Sequence, residues 1–241
     1  MKKHLETVAK AYDRDIVTHG TKEGLSYDDL PDYITNNPDY AHWQNEREGG
    51  LEKSGLAELK DYLSPAENMN FIHLGCSLNL ILKGYSTWPS TYFGVDISGE
   101  TIQLLRGYTA ENNIPVGALH CGSVHETPFA AGYFDIGDCV GVLEYYERDF
   151  TLNAIKEFHR ILKPGAKLVL DIPNIESPSG RAMMVIEEYM GRPDKFDMLP
   201  QEFEEMIRDY FVIEDSDTLC AESRGEKHMG MMCFYYLRRK Q

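Results

Sequence analysis

"NFIHLGCSLN", Asn70 to Asn79, is a short apolar run that ends in a glycine and continues into small polar residues. A run of this length closed by Gly75 reads as a buried strand turning into a helix. A nucleotide loop of the Gly-x-Gly-x-x-Gly kind would carry more glycines beyond that point, where this chain has Ser77 and Asn79.

Similar runs follow downstream. "STYFGVDIS" has Tyr92, Phe93 and Val95 before Asp96, "PVGALHCGS" is weaker, and "YFDIGDCVGVLEYY" and "GAKLVLDIPN" complete a set of five. Helical patterns fit between them. "GETIQLLRGYTAENN" is one, and "LNAIKEFHRILKPG" is another, with Leu152, Ile155, Phe158 and Leu162 spaced for one face and Lys163-Pro164-Gly165 as a stop. Strands alternating with helices predict a mostly parallel sheet covered on both faces. The tail breaks the alternation: "QEFEEMIRDYF" reads as a helix, then "VIEDSDTLC" and "GMMCFYYLRR" as two consecutive strands, an antiparallel finish. The expected fold is α/β and Rossmann-like.

Two further segments lie outside this alternation. Residues 1–62 read as a polar, helical cap rich in aromatics (Tyr12, Tyr27, Tyr33, Tyr40, Trp43), with Leu51, Leu56, Leu59 and Leu63 on one face near its end. The α/β domain then spans 63–241, and 177–200 reads as an insertion above the sheet that serves as a lid.

Bulk properties narrow the function. The chain has 241 residues and 42% hydrophobic content, enough for one sizeable core. A net charge of −15 argues against nucleic acid and against anionic membranes as partners. "MKKHLETVAK" has no apolar stretch of a signal peptide, and no run approaches the ~18 residues of a membrane span. The five cysteines include no CxxC pair and read as reduced thiols, so a cytoplasmic location is expected.

In an open parallel sheet, ligands collect beyond the carboxyl ends of the strands where strand order reverses. The loop from Gly75 to Asn79 therefore faces the ligand. Asp96 follows Gly75 by about 20 residues, the spacing of a carboxylate that grips a ribose diol. That spacing alone also suits nicotinamide enzymes, or an ordinary turn with a surface aspartate.

Later segments are more specific. "GSVHETPFAAGYFDIGDCVGVLEYY" followed by "EFHRILKPGAKLVLDIPN" resembles the class I S-adenosylmethionine-dependent methyltransferases, closest to their small-molecule, ubiquinone/menaquinone-type branch. Gly122-Ser123-Val124 stands where the family has Gly-Asp-Ala, and Thr127-Pro128-Phe129 where it has Leu-Pro-Phe. Tyr133-Phe134-Asp135 matches Ser-Phe-Asp, and Val142-Leu143-Glu144-Tyr145 matches Val-Leu-His-His. Arg160 to Gly165 is the most specific piece. The resemblance covers about residues 69 to 174 well and the last forty loosely.

The resemblance implies a seven-stranded sheet with the last strand antiparallel, S-adenosyl-L-methionine as cofactor and a small-molecule methyl acceptor. By position, Gly75, Cys76 and Ser77 would lie along the methionine part. Asp96 would take the ribose, Ile97 would pack on the adenine, and Ser123 and Val124 would meet its amino group. Cys139 would approach the reacting end, and Glu144 is the candidate base, with His125 a weaker one. The Asp-x-Gly-x-Gly-x-Gly pattern of the family departs here at His73, Ser77 and Asn79, and Ser123 replaces an acid. These changes predict weaker or altered binding. They keep open a catalytically silent binding protein on the same fold, and less so a nicotinamide-dependent oxidoreductase.

Blander readings stand beside these. His73 alternates with Ile72 and Leu74 and reads as a core histidine satisfied by a backbone group. Cys76, Cys121 and Cys139 fall near strand ends, where a convergent thiol cluster is possible but small buried hydrophobes are the more common outcome; no metal is expected. "HMGMMC" reads as a core strand through Met231, Cys233 and Tyr235. Trp43 and Arg47 read as a solvated helix face.

Overall fold

A computed structural model describes residues 2–18, 29–48, 56–192, 194–218 and 230–241. Among the described residues, four helices precede the sheet: α1 (Lys2–Thr18), α2 (Asp32–Thr35), α3 (Tyr40–Glu48) and α4 (Leu56–Leu63). Then come β1 (Asn70–Leu74), α5 (Asn79–Leu82), β2 (Thr91–Asp96), α6 (Gly99–Glu111), β3 (Ala118–Cys121), β4 (Phe134–Cys139) and α7 (Arg148–Ile161). The chain continues through β5 (Leu162–Pro173), α8 (Pro178–Tyr189), α9 (Pro200–Ile207), β6 (Phe211–Thr218) and β7 (Met232–Arg239).

Among the described residues, seven strands form one sheet in the order β3-β2-β1-β4-β5-β7-β6. Strands β1 to β5 pair in parallel, and β7 runs antiparallel to both β5 and β6. The last strand is therefore the antiparallel one, as expected. Strand order reverses between β1 and β4, which puts the crevice at the carboxyl ends of these two strands and β2.

Side chains alternate across the sheet, so each face carries its own core. Ile72, Leu74, Val95, Phe134, Cys139, Phe158 and Tyr235 pack on one face. Phe71, Cys76, Tyr92, Leu105, Ile136 and Val169 pack on the other, with Trp43 and Leu63 from the N-terminal helices. Trp43 is only 4% exposed, which corrects the solvated-face expectation for it: α3 packs on α8 and buries the indole. Leu59 and Leu63 share a buried face of α4. Tyr27, Leu51, Cys220, His228 and the side chains of Arg47 and Leu56 lie outside the described residues.

Local chemistry sets the helix starts. Ser98 caps α6 by accepting from the Thr101 N–H at 3.0 Å, and Ser177 caps α8 by accepting from the Gly180 N–H at 2.9 Å. Pro178 sits in the first turn of α8, where its missing N–H costs nothing. The stop "LKPG" resolves into a bulge rather than a loop. Phe134 pairs with Leu162 but Ile136 with Lys167, so β5 takes up the extra residues around Gly165, which has φ +79°. Leu162, expected on the face of the preceding helix, is the first residue of β5.

The segment 177–200 begins as α8 and then returns to the sheet. Lys195 and Phe196 both donate backbone N–H groups to the Glu144 carbonyl, at 2.9 and 3.0 Å. Among the described residues, no helix is long and apolar enough to cross a membrane.

Candidate functional site

A cleft with about 780 Å³ of empty space opens at the strand-order reversal. Gly75, Ser77 and Asn79 line it from the loop after β1, and Asp96 and Ile97 from the end of β2. Gly122, Ser123 and Val124 come from the exit of β3, and Val140, Gly141 and Val142 from the exit of β4. Val8 and Tyr12 of α1, with Tyr145 and Tyr146, supply the remaining wall.

The loop after β1 is held by backbone and by carboxylate. Gly75 and Cys76 both donate their N–H to the Val95 carbonyl, at 2.8 and 2.9 Å. Gly75 has φ +76°, and a Cβ there would lie 2.1 Å from Val142 Cγ2. Only glycine suits both conditions. Ser77 also sits in the left-handed region at φ +42°. Its N–H donates to Asp96 Oδ2 at 2.7 Å, and the Ser98 N–H donates to Asp96 Oδ1 at 2.8 Å. Burial raises the pKa of Asp96, and the two backbone N–H groups work against that rise.

Ser123 Oγ lies 2.6 Å from His125 Nδ1, which fixes the hydroxyl at the cleft wall. The turn behind it is anchored by Glu157 of α7, whose Oε1 accepts from the Thr127 N–H at 2.8 Å. Arg160 donates to both Glu157 carboxylate oxygens and to the Phe129 carbonyl. The two sequence signatures Thr127-Pro128-Phe129 and Arg160-Ile161-Leu162 are thus two sides of one polar clasp.

Of the residues expected from sequence, Gly75, Ser77, Asp96, Ile97, Ser123 and Val124 come together in the cleft. Cys76, Cys139 and Glu144 do not line it. Cys76 follows the positive-φ turn at Gly75 and packs into one core, whereas Cys139 ends β4 and packs into the other, on opposite faces of the sheet. Cys121 is exposed, so the three thiols do not converge. Glu144 is 8% exposed, and its Oε2 has no hydrogen-bond partner among the described residues. Burial, and next the negative charge of Asp171, push its pKa well up.

Sequence reasoning left out Val8, Tyr12, Val140, Gly141 and Tyr146. No pattern in α1 distinguishes a cleft-facing tyrosine from any other. Tyr12 meets Tyr145 edge-on at 5.7 Å, and Asp13 anchors the helix by accepting from Ser98 Oγ at 2.6 Å.

His73 is 1% exposed and lies in the core, as expected, but side chains rather than a backbone group surround its nitrogens. Nδ1 lies 3.8 Å from Asp138 Oδ1, and Nε2 lies 3.5 Å from Asn79 Nδ2. Burial, and then the charge of Lys83, lower its pKa to about 3, so it is neutral and repels no cation.

Residues 72–170 match the family described as methyltransferase domain. A further stretch of likeness is to an uncharacterized 37.1 kDa protein in transposon TN4556 of Streptomyces fradiae, 28% identical over 130 residues. That alignment covers 52% of this chain and 36% of the relative, so the chain spans about a third of the relative's length. The fold is shared with geranyl diphosphate C-methyltransferase of Streptomyces coelicolor A3(2), solved with Mg2+, geranyl diphosphate and S-adenosyl-L-homocysteine. There the TM-score is 0.66 at 14% identity, over 98% of this chain and 97% of that one. A geranyl diphosphate methyltransferase solved in complex with GPP and sinefungin gives 0.66 at 15% identity, over 99% and 100%. The [4+2]-cyclase SpnF gives 0.55 at 14%, over 77% and 79%. Residues 72–170 thus carry a methyltransferase-domain match, and along its length the chain shares the fold of these methyltransferase structures.

Proposed function

We propose that the protein binds S-adenosylmethionine in this cleft and transfers its methyl group to a small-molecule acceptor. One observation carries this above the rest: residues from four separate strand exits, Gly75, Asp96, Ser123 and Gly141, line a single cleft at the strand-order reversal. The ligands in the geranyl diphosphate methyltransferase structures, S-adenosyl-L-homocysteine and sinefungin, support the same cofactor class.

The residues present fit an adenosyl group. Each Asp96 oxygen accepts one backbone N–H and keeps a lone pair, enough for the two hydroxyls of a ribose. Ile97 offers an apolar surface for the base, and the Ser123 oxygen an acceptor for its amino group. The segment Gly75 to Asn79 then meets the amino-acid end.

When bound, S-adenosylmethionine supplies a methyl group on a cationic sulfur, already activated for in-line displacement. The chain's contribution is therefore alignment and exclusion of water. Tyr12, Tyr145 and Tyr146 wall the cleft, and Tyr146 is held flat by stacking on Phe150 at 3.7 Å. Behind them Asp171 Oδ1 accepts from the Gly141 N–H at 2.8 Å and fixes the loop after β4. Burial, and next the negative charge of Asp171, raise the Glu144 pKa, so the group suits proton holding better than proton removal.

Residues 1–62 act as the cap and 177–200 as the lid that select the acceptor. An aromatic wall suits a small, partly apolar molecule, and the charge of −15 disfavours nucleic acid. Calorimetry with S-adenosylmethionine and S-adenosylhomocysteine tests the pocket, and a labelled-methyl screen against small-molecule acceptors tests the transfer. Absence of heat with either ligand at high protein concentration rejects the proposal.

A further inference from the structure

His73 stands at the position where the resembling family keeps an acid. Its surroundings account for the change. In the sheet it pairs in register with Asp138 of β4, whose side chain is fully buried. The Tyr85 hydroxyl donates to Asp138 Oδ2 at 2.9 Å, which fixes the carboxyl. Oδ1 then faces His73 Nδ1 across 3.8 Å, and neither atom has another partner among the described residues. Phe71, Tyr85 and Tyr92 surround the imidazole, with ring centroids 6.1, 4.8 and 6.0 Å away. The ring is therefore caged, with one nitrogen toward a carboxyl and the other toward Asn79.

Asn79 is the outlet of this arrangement. It is half-buried, opens α5 and lines the cleft beside Gly75 and Ser77. A terminal amide has a donor end and an acceptor end. Its Nδ2 lies 3.5 Å from His73 Nε2, a contact that leaves the amide oxygen uncommitted. An imidazole and a carboxyl in mid-sheet cost stability that apolar residues would not. Holding a cleft-lining amide gives that cost a purpose.

We propose that His73 is a positioning residue. Through Asn79 it orients the amide that recognises the amino-acid end of the cofactor, while Asp138, one strand over, faces the other ring nitrogen. This rests on the S-adenosyl reading of the cleft.

The test compares two ligands of the full chain by calorimetry. S-adenosylhomocysteine has the amino-acid end; 5′-methylthioadenosine has the same adenosine and sulfur without it. Asn79→Ala is expected to weaken S-adenosylhomocysteine about tenfold, as loss of one hydrogen bond does. Its affinity for 5′-methylthioadenosine stays within about twofold by the same reckoning. His73→Leu reproduces this split, His73→Gln largely restores binding, and the His73→Leu/Asn79→Ala double variant is no worse than either single one.

Equal weakening of both ligands would show a merely structural role and overturn the proposal, as would additive effects or unchanged affinities. If His73→Leu does not fold, Asn79→Ala and His73→Gln decide alone. Wild-type protein that binds neither ligand overturns the cofactor reading itself, and this inference with it. Wild-type binding without the split overturns the inference only.

Discussion

Asp96 Oδ2 accepts the backbone N–H of Ser77 at 2.7 Å, which ties the tip of β2 to the loop leaving β1. One carboxylate thus serves the protein and, in the proposed function, the ligand. Asp96→Ala is expected to weaken S-adenosylhomocysteine by roughly ten- to a hundredfold, the loss of about 1.5–3 kcal/mol of charge-assisted hydrogen bonding. Because two backbone N–H groups also lose their acceptor, the melting temperature falls as well. Calorimetry beside a thermal melt reads both, and unchanged affinity in a folded variant would reject the assignment.

Gly75→Ala combines a left-handed backbone with a steric clash against Val142. The expected cost is about 1–3 kcal/mol of stability, measured by urea unfolding. Adding Val142→Ala removes the clash but not the backbone strain, so it recovers only part of the loss. Full recovery would show that backbone conformation plays no part.

Removal of the α1 contacts tests the cap. Ser98 Oγ donates to Asp13 Oδ1 at 2.6 Å, and Tyr12 lines the cleft one residue earlier. Tyr12→Ala is expected to lower cofactor affinity severalfold with little change in unfolding midpoint, since the site is on the wall and not in the sheet. Asp13→Ala is expected to do the same more weakly by loosening the helix. Unaltered binding in both variants would mean that α1 is no part of the site.

Stability near neutral pH follows from Asp138 and His73 together. Burial raises Asp138 to about 8, so folding takes up a proton, and that stabilisation is lost as pH rises through 8. Burial lowers His73 to about 3, so its neutral state favours the fold only above that value, and stability is lost as pH falls below 6.5. Between roughly pH 4 and 6.5 the two oppose each other. Above that window Asp138 acts without this counterweight, joined by Asp171 and Asp194, each pushed to about 7 by burial. The urea midpoint is expected to fall between about pH 6.5 and 8, by up to about 1.4 kcal/mol per pH unit for each group, and Asp138→Asn is expected to flatten the fall. A flat or rising midpoint in wild-type protein would mean that Asp138 is not held protonated.

The sheet was legible because its strands are apolar runs bounded by glycine and proline, and their alternation with helices leaves few ways to connect them. Asp96 was legible because the carboxyl end of a strand and the spacing from Gly75 are properties of chain order. Cys76 and Cys139 were placed by chain order too, but the positive-φ turn at Gly75 and the pleat of β4 send both thiols into core. The tyrosine wall was not legible, since Tyr12 reaches the cleft only through how α1 docks on α6.

From its order of residues alone, the chain determined a seven-stranded α/β sheet, the place of its crevice and the carboxylate at its rim, because these depend on local periodicity and on spacing along the chain. Tertiary structure alone decided that His73 is neutral, caged and aimed at Asn79, and that α1 closes the cleft. Those outcomes depend on desolvation and on contacts between residues far apart in sequence, such as 73 with 138 and 12 with 145, which no local pattern encodes.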